Sequence, residues 1–367
     1  MSEEKAEGAS ELKVQQLFKL MIENGASDLH LTTGSPPAIR INGDIVKVKL
    51  PALTPADTKR LVYTLLTEDQ RNEFEKNLEL DCSFGIKGLA RFRCNVFYSK
   101  GGVAAVFRTI PSVIPDFDQL NLPSVLMKMT EVSNGLILVT GPTGSGKSTT
   151  LAALLDRLNQ SEPGHIITLE DPVEFVHPHK KCIVNQREIG SDSLSFANAL
   201  KGLLRQDPDI VLVGELRDME TIEMALTVAE TGHLVFGTLH TNSAVQTINR
   251  VINVFPSDQQ EQIRTLLSFV LQGVVAQQLL PLKNGGRAAC QEILISNPAI
   301  RNLIREDKVH QVYSQMQIGQ DKSGMITMNQ SLKNLVDKGK IEPELAMAYS
   351  PVPEELAKQL GIKVGKK

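Results

Sequence analysis

Nine consecutive residues near the middle of the chain have the composition and spacing of a phosphate-binding loop: Gly141-Pro142-Thr143-Gly144-Ser145-Gly146-Lys147-Ser148-Thr149. Glycines in such a loop allow backbone N–H groups to turn towards phosphate oxygens, in conformations that a Cβ would obstruct. Lys147 is predicted to reach the β- and γ-phosphates, and the Ser148 hydroxyl is predicted to bind Mg²⁺. All nine residues are therefore predicted to form the binding site of a nucleoside triphosphate.

The residues on either side of this loop have the patterns that a P-loop requires. The apolar run 136–139 precedes it and is typical of a buried strand. After the loop, Leu151, Leu154, Leu155 and Leu158 recur at helical spacing. The phosphates are then expected at the N-terminus of a helix that begins near Lys147. This order of strand, loop and helix favours a P-loop over a chance glycine-rich turn.

Beyond the P-loop, strand-like runs alternate with helical patterns, which predicts a parallel α/β sheet. The predicted strands are 166–169, 210–213 and 234–239, and the predicted helices between them are 196–204 and 219–230. From about Ser257 onwards the chain is predicted to be mostly helical.

The first part of the chain, to about residue 113, is predicted to be a small α+β domain. Its predicted helices are 11–24 and 55–66, and its predicted strands are 29–31, 38–41, 45–48, 89–97 and 103–109, with a hairpin turn at Asn42-Gly43. Three prolines between residues 110 and 123 suit a linker. The predicted boundaries are a disordered tail at 1–10, an N-terminal domain at 11–110, a linker at 111–123 and a second domain at 124–367.

Composition narrows the class of protein. The 367 residues are 41% hydrophobic and 22% charged, as in a globular protein large enough for two cores. The net charge of −3 gives no reason to expect nucleic-acid binding. No apolar run approaches the roughly 18–20 residues that span a bilayer, and the first ten residues do not have the pattern of a signal peptide. Four scattered cysteines form no metal or redox motif, which favours reduced thiols in the cytoplasm.

An acidic residue follows the apolar strand 210–213, as in a Walker B element. Glu215 is predicted to lie near the P-loop, at the carboxyl edge where open α/β sheets bind ligands, and to polarise the attacking water. The alternative is a solvated carboxylate at a strand end. Gly214 stands where an aspartate on the Mg²⁺ side is usual, so the sequence leaves open how the metal is held.

Two further groups of polar residues flank predicted strands. Glu170, Asp171 and Glu174 follow the strand 166–169, and three carboxylates in this place favour a site near Mg²⁺–ATP over an exposed acidic loop. His233 and His240 stand at the two ends of the strand 234–239, and both are predicted to sense the γ-phosphate. The alternative for each histidine is a structural role.

Three arginines lie on a predicted hairpin of the first domain. Period-2 alternation places Arg91 and Arg93 on one face and Phe92 and Cys94 on the other, and Arg108 follows on the next strand. These arginines are either a solvated sheet face or arginine fingers that neutralise the γ-phosphate of a neighbouring subunit.

Five segments together resemble the secretion-type hexameric ATPases and, within that family, the ATPases of type IV pilus retraction. They are the P-loop 141–149, Thr168-Leu169-Glu170-Asp171-Pro172, the strand and acid 210–215, the histidine-bearing stretch 232–241, and the helical segment 299–306. The resemblance spans nearly the whole chain. It implies a PAS-like N-terminal domain and a RecA-like ATPase domain with C-terminal helices.

The resemblance also implies roles and partners. Lys147 and Ser148 match the phosphate and Mg²⁺ ligands, Glu215 the catalytic glutamate, and Glu170 an acidic-box residue. The remaining matches are to the histidine box and the N-domain arginines: His233, His240, Arg91, Arg93 and Arg108. The implied assembly is a cytoplasmic homohexamer that hydrolyses ATP and attaches peripherally to the inner membrane through a pilus platform protein, with other pilus motor ATPases as further possible partners.

Three other functions remain open at this point. The first is an accessory paralogue or a related secretion or pilus-assembly ATPase, because the residues after Gly324 depart from the usual retraction-ATPase form. The second is a nucleic-acid translocase, disfavoured by the net charge and by the lack of a basic-aromatic stripe. The third is a nucleotide-gated interaction protein without turnover, disfavoured by Glu215.

Overall fold

The structure, a computed structural model, describes residues 12–41, 43–111, 113–318 and 320–362. The predicted tail 1–10 and Asn42 of the predicted hairpin turn lie outside these residues. By its internal contacts the chain divides after Val113 into two compact units.

The first unit is built on one antiparallel sheet. Its elements are α1 (Val14–Glu23), β1 (Asp28–Leu31), β2 (Ala38–Ile41), β3 (Asp44–Lys47), α2 (Pro55–Tyr63), α3 (Glu68–Asn77), β4 (Glu79–Ile86), β5 (Ala90–Ser99) and β6 (Gly102–Ile110). The six strands lie in the order β3-β2-β1-β6-β5-β4, and every neighbouring pair is antiparallel. Helix α3 and strand β4 were not among the predicted elements.

The core of the first unit follows from sequence periodicity. Helix α1 buries Val14, Leu17, Phe18 and Met21, which are spaced three or four residues apart and so share one face. Strand β5 alternates as predicted, since Phe92, Cys94 and Val96 are fully buried while Arg93 is exposed. The Phe18 ring lies 4.4 Å from that of Phe92, measured between centroids, so helix and sheet share one aromatic cluster.

The second unit combines a mainly parallel sheet with helices. Its first elements are α4 (Val125–Met129), β7 (Gly135–Thr140), α5 (Lys147–Ser161), β8 (Gly164–Glu170), β9 (Cys182–Glu188), α6 (Phe196–Leu203), β10 (Ile210–Val213), α7 (Met219–Glu230), β11 (Leu234–Leu239), α8 (Ala244–Asn253) and α9 (Gln260–Val270). They are followed by β12 (Leu271–Pro281), β13 (Arg287–Ile295), α10 (Pro298–Arg305), α11 (Val312–Met316), α12 (Gln320–Ser323), α13 (Met328–Asp337), α14 (Pro343–Tyr349) and α15 (Pro353–Leu360).

The seven strands lie in the order β13-β12-β7-β11-β10-β8-β9. All neighbours are parallel except β12 and β13, which form an antiparallel hairpin at one edge. All residues of β7, β10 and β11 are buried, as expected for central strands covered on both faces. Alternate β7 residues enter different cores: Leu136 and Leu138 belong to one hydrophobic cluster, and Ile137 and Val139 to another.

The prediction of a mostly helical chain after Ser257 is wrong for residues 271–295. The run Gly273–Ala276 is continuously buried in β12, where it pairs with β7 on one side and β13 on the other. The polar pair Gln277-Gln278 interrupts this apolar run, so the strand has neither a period-2 pattern nor a long apolar signal. Helices resume at Pro298, and no helix within the described ranges is long and apolar enough to cross a membrane.

The proline-rich stretch after Ile110 is partly packed. Phe117 is buried in a hydrophobic cluster of the second unit, with Leu126 and Ile137. Asp116 and Gln119 bond reciprocally, each side chain accepting from the other's backbone N–H at 2.8 and 3.0 Å. From Ile114 onwards this stretch therefore belongs to the second unit.

Candidate nucleotide-binding site

The loop 141–146 connects the end of β7 to the start of α5 at the carboxyl edge of the parallel sheet. Gly141 has φ +141°, and a Cβ there would lie 2.1 Å from the Gln277 carbonyl oxygen. Gly146 has φ +86°, and its Cβ would lie 2.9 Å from Gln277 Nε2. These two positions require glycine, because the loop turns against strand β12 and its conformation is left-handed. The result is a cradle of backbone N–H groups at the N-terminus of α5.

Lys147 is the first residue of α5 and folds back over the loop. Its ammonium donates to the carbonyl oxygens of Gly141 at 2.8 Å and Pro142 at 3.1 Å. Burial lowers the pKa of Lys147, while the negative charges of Glu215 and Glu174 raise it. The two acidic side chains are thus close enough to act on this ammonium, as expected for one polar site.

Two glutamines of the β12–β13 hairpin hold the P-loop, and sequence reasoning did not identify them. Gln277 Nε2 donates to the Ser145 carbonyl at 2.7 Å, and Gln277 Oε1 accepts from Thr150 Oγ1 at 2.8 Å. Gln291 Nε2 donates to Gln277 Oε1 at 2.7 Å. Both glutamines are buried. Their only sequence signal was polarity within an apolar stretch, which does not reveal a partner more than a hundred residues away.

Glu215 lies just beyond β10, beside the histidine that follows β11. Its Oε1 is 3.2 Å from His240 Nε2, and its Oε2 is 2.8 Å from Arg217 Nε. Because β11 lies between β7 and β10 in the sheet, His240 projects from the strand that separates the P-loop strand from the Glu215 strand. The structure thus brings Glu215 and His240 together at the P-loop edge.

Gly214 makes a close backbone contact that excludes a side chain. Its N–H donates to the Leu169 carbonyl at 2.7 Å, and a Cβ would lie 3.0 Å from that same carbonyl oxygen. The Gly214 carbonyl accepts a short hydrogen bond from the Thr238 hydroxyl. An aspartate at this position would therefore displace the end of β8.

Glu170 is buried at the end of β8 and is fully engaged by hydrogen bonds. Its carboxylate accepts from Thr168 Oγ1 at 2.6 Å, from the Glu174 N–H at 3.1 Å and from Gln186 Nε2 at 3.2 Å. Burial raises the pKa of Glu170, against the effect of these hydrogen bonds, which lower it. The three-carboxylate cluster is thus divided, because Glu170 is buried while Asp171 and Glu174 are exposed.

His233 lies at the other end of β11 from His240. Its Nδ1 contacts the Val228 carbonyl at 3.0 Å and the Thr231 hydroxyl at 3.1 Å. The six residues of β11 separate the two histidines, which is on the order of 20 Å. Within one chain, His233 therefore lies away from the P-loop edge, and its contacts are those of a residue that ends helix α7.

The three predicted arginines lie on the sheet of the first unit. Arg93 and Arg108 are directly opposite each other on β5 and β6, and both are exposed. Arg108 Nε forms an ion pair of 2.8 Å with the buried carboxylate of Asp28, and Arg91 Nη2 donates to Ser83 Oγ at 2.7 Å. Because like charges in register repel, the Arg93–Arg108 pair needs a nearby anion, which Asp28 supplies on one side.

A cavity of about 940 Å³ adjoins the first turn of α5. Gly146, Thr149 and Thr150 line one side, and Gln277, Gln291 and Arg287 line the hairpin side. The cavity continues the P-loop cradle away from Glu215, with space for a ligand group larger than a phosphate.

The site can bind a phosphate chain along the P-loop N–H groups and Lys147. It also presents the carboxylate of Glu215 at the end of β10, which is separated from the P-loop strand β7 by one strand, β11. A P-loop fitted in this way to a parallel sheet defines the class of P-loop nucleoside triphosphatases.

Comparison with known proteins places the chain within that class. The family described as "Type II/IV secretion system protein" matches residues 3–343. The chain belongs to this family and is an ATPase with a mixed α/β fold.

Three relatives illustrate the similarity. The type IV pilus retraction ATPase PilT of Pseudomonas aeruginosa is 52% identical over 343 residues, covering 94% of this chain and 99% of that protein. The type IV pilus ATPase PilU of the same organism is 41% identical and covers 96% and 92%. A crystal structure of the pilus retraction motor PilT with bound ADP has 55% identity and a TM-score of 0.90, covering 95% of this chain and all of that one.

Proposed function

We propose that this protein is the ATP-hydrolysing motor of type IV pilus retraction, and so powers pilus disassembly and twitching motility. The observation that carries the proposal is the 52% identity to PilT along essentially the full length of both chains. Identity to PilU is lower, at 41%, which favours the principal retraction motor over an accessory paralogue.

The chemistry proposed for the site follows from its contacts. The P-loop N–H groups and Lys147 bind the β- and γ-phosphates of ATP, and the Ser148 hydroxyl at the start of α5 is a ligand of Mg²⁺. Glu215 would orient the attacking water. His240, 3.2 Å from Glu215, holds this carboxylate and senses the γ-phosphate. Since Gly214 offers no carboxylate, Ser148 is the residue that would hold Mg²⁺, and the bound ion would offset the negative charge of the phosphates. Base and ribose occupy the cavity beside Thr149 and Thr150.

Glu170 is proposed as a positioning residue. Its carboxylate connects the β8 end to the Glu174 backbone and to Gln186 on β9, so it fixes the loop beside the Gly214 backbone. His233 is proposed to act outside the site of its own chain.

For the whole chain we propose the organisation that the family resemblance implies. Residues 11–110 form a PAS-like domain and residues 124–367 a RecA-like ATPase domain, and residues 111–123 link them, with the stretch from Ile114 onwards packed into the second unit. The chains assemble as a cytoplasmic homohexamer that associates with the inner membrane through a pilus platform protein. In this ring, Arg91, Arg93 and Arg108 act on the nucleotide of a neighbouring subunit. Other pilus motor ATPases are candidate partners, and nucleic acid is not.

The decisive experiment is a deletion in the source bacterium, scored for surface pili and for twitching. Loss of a retraction motor leaves cells hyperpiliated and non-motile, whereas loss of an extension motor leaves them bald. Re-expression of the wild-type chain restores twitching, and re-expression of Lys147→Ala does not. Bald cells, or normal twitching after the deletion, would disprove the proposal; purified-protein ATPase assays with and without DNA separate it from a translocase.

A further inference from the structure

Glu292 of β13 is a buried carboxylate that binds the first N–H groups of two helices. It is 1% exposed. Its Oε1 accepts from the Ala244 N–H at 2.8 Å, and its Oε2 accepts from the Met328 N–H at 3.4 Å. Ala244 and Met328 are the first residues of α8 and α13. A carboxylate in this position satisfies N–H groups that have no partner within their own helix, and it opposes the positive end of each helix dipole.

The first turn of α8 is also bonded to the loop that carries His240. Asn242 N–H donates to Gln246 Oε1 at 3.2 Å, and the Thr241 hydroxyl lies 2.7 Å from that of Thr247. The Thr247 hydroxyl is in turn 3.4 Å from that of Thr140, the last residue of the P-loop strand. Thr241 and Asn242, the two residues that follow His240, are therefore bonded to the first turns of α8.

Glu292 is adjacent to Gln291, which holds the P-loop through Gln277. Successive residues of one strand thus contact the two parts of the site, Gln291 the phosphate-binding loop and Glu292 the helix behind His240. Burial raises the pKa of Glu292, and the hydrogen bonds from Ala244 and Met328 lower it.

We propose that Glu292 is a positioning residue for ATP hydrolysis: by fixing the start of α8 it fixes His240, and through His240 it holds the carboxylate of Glu215 at the attacking water. The inference rests on the proposed roles of Glu215 and His240. It concerns the hydrolytic step and does not depend on whether the motor acts on a pilus.

The test is Glu292→Gln in the purified full-length protein, with kcat measured at saturating Mg²⁺–ATP and ADP affinity measured by titration of a fluorescent ADP. The amide keeps the volume of the carboxylate and one acceptor oxygen, but it places an NH₂ group against an N–H donor. Because small misplacements of reacting groups are costly, we expect kcat to fall by about tenfold or more, and Glu292→Ala to lower it further. ADP affinity is expected to change by less than about twofold, because no ADP contact is altered.

Thr327→Ala is the matched control. Thr327 is fully buried and caps α13 by accepting from the Gln330 N–H at 3.3 Å, one residue before Met328. Loss of this cap should lower the melting temperature of the protein by a few degrees, about as much as Glu292→Gln lowers it. It should leave kcat unchanged. Equal kcat losses in the two variants would mean that kcat only follows stability, which would overturn the proposal.

A second variant, Ser243→Ala, tests the proposal if Glu292→Gln does not fold. Ser243 is half-buried and caps α8 by accepting from the Gln246 N–H at 3.2 Å, so Ser243→Ala loosens the same helix start without altering a fully buried charge. We expect kcat to fall severalfold with ADP affinity retained. Unchanged kcat in this variant, or in a folded Glu292→Gln, contradicts the positioning role. Absence of hydrolysis by the wild-type protein would instead contradict the proposed function itself.

Discussion

Glu215 lies just after strand β10, and its carboxylate contacts two side chains, those of Arg217 and His240. Arg217 is a permanent cation at 2.8 Å, whereas His240 at 3.2 Å is neutral or charged according to its protonation. The side chain keeps about a fifth of its surface exposed, at 22%, so water can reach it. A carboxylate that is fixed yet accessible is suited to orient a water molecule.

Glu215→Gln is expected to retain ATP binding and to lose turnover by about 10²–10³-fold, because a carboxylate that positions water acts mainly in the transition state. Equilibrium binding of a fluorescent nucleotide and steady-state phosphate release, measured on the same preparation, separate the two effects. If affinity collapses while hydrolysis per bound ATP persists, Glu215 is a ground-state ligand.

Gly141→Ala is expected to destabilise the protein by about 3 kcal/mol, since its Cβ would enter the Gln277 carbonyl at a backbone conformation that favours glycine. Gly144→Ala is the matched control in the same loop. It also has positive φ, at +79°, but its Cβ would have no neighbour within 4 Å. Strain alone costs about 1 kcal/mol there. Urea unfolding of the nucleotide-free variants measures both, and equal losses would show that the contact with Gln277 is unimportant.

For single residues, the sequence predicted those whose roles can be recognised from their neighbours in the chain. The P-loop was recognisable because strand, glycines, lysine and helix are contiguous, and Glu215 and His240 because both end apolar strands at one edge. The contacts of Gln277, Gln291 and Glu292 were not predictable, since each depends on a partner distant in the chain. Gly214 seemed a departure from a motif until its backbone contact with Leu169 explained it.

The hairpin β12–β13 is the element that completes the site. It adds two strands beside β7, and its polar residues contact both the P-loop and helix α8, which follows the loop that carries His240. Strand β9, at the opposite edge, was missed because its sequence Cys182–Glu188 starts with three apolar residues and continues with four polar ones, so it has neither a long apolar run nor a period-2 pattern. The edge strands β9 and β13 carry weaker apolar signals than the central strands β7, β10 and β11, which were predicted.

Helix α10 separates a buried stripe from charged positions. Ile300 and Ile304 are fully buried, while Arg301 is partly exposed, with Nε 3.4 Å from Ser296 Oγ. The apolar side anchors the helix, because Ile300 and Ile304 are four residues apart and so share one face. The charged side is then available to a partner or to a neighbouring subunit.

Arg301→Ala is expected to leave folding, ATP binding and basal hydrolysis largely intact and to impair pilus retraction. ATPase rate and twitching, measured on the same variant, test this separation. Ile304→Ala is the contrasting variant, expected to cost about 2–5 kcal/mol of stability through a buried cavity. Loss of hydrolysis together with motility in Arg301→Ala would make the helix part of the catalytic ring, and full motility would make it an ordinary surface helix.

The molecule as a whole consists of two units with different sheets, one wholly antiparallel and one mainly parallel. The second unit contains the P-loop, Glu215 and His240. The first unit contributes the exposed pair Arg93 and Arg108. In an oligomer in which the first unit of one chain faces the nucleotide of the next chain, the arginines of one chain and the Glu215 of the next would act on the same nucleotide.

Mixed assemblies test this arrangement. Arg93→Ala and Glu215→Gln chains should each be inactive alone, because each lacks one of two required groups. Mixed rings should regain part of the activity wherever an intact Glu215 faces an intact neighbouring arginine. Arg91→Ala and Arg108→Ala should complement in the same way. Co-assembly is confirmed first with differently tagged chains, and no recovery despite co-assembly would assign the arginines to their own subunit or to fold stability.

The hairpin also has a consequence during protein synthesis. The P-loop emerges from the ribosome well before Gln277, which donates to the Ser145 carbonyl from 132 residues further along the chain, and before Gln291, which donates to Gln277. Strand β7 lacks its β12 neighbour for the same interval. A nascent chain therefore carries the phosphate-binding motif before it carries the residues that hold it. We expect nucleotide binding to begin only after both strands of the hairpin have been translated, because the unit folds as a whole.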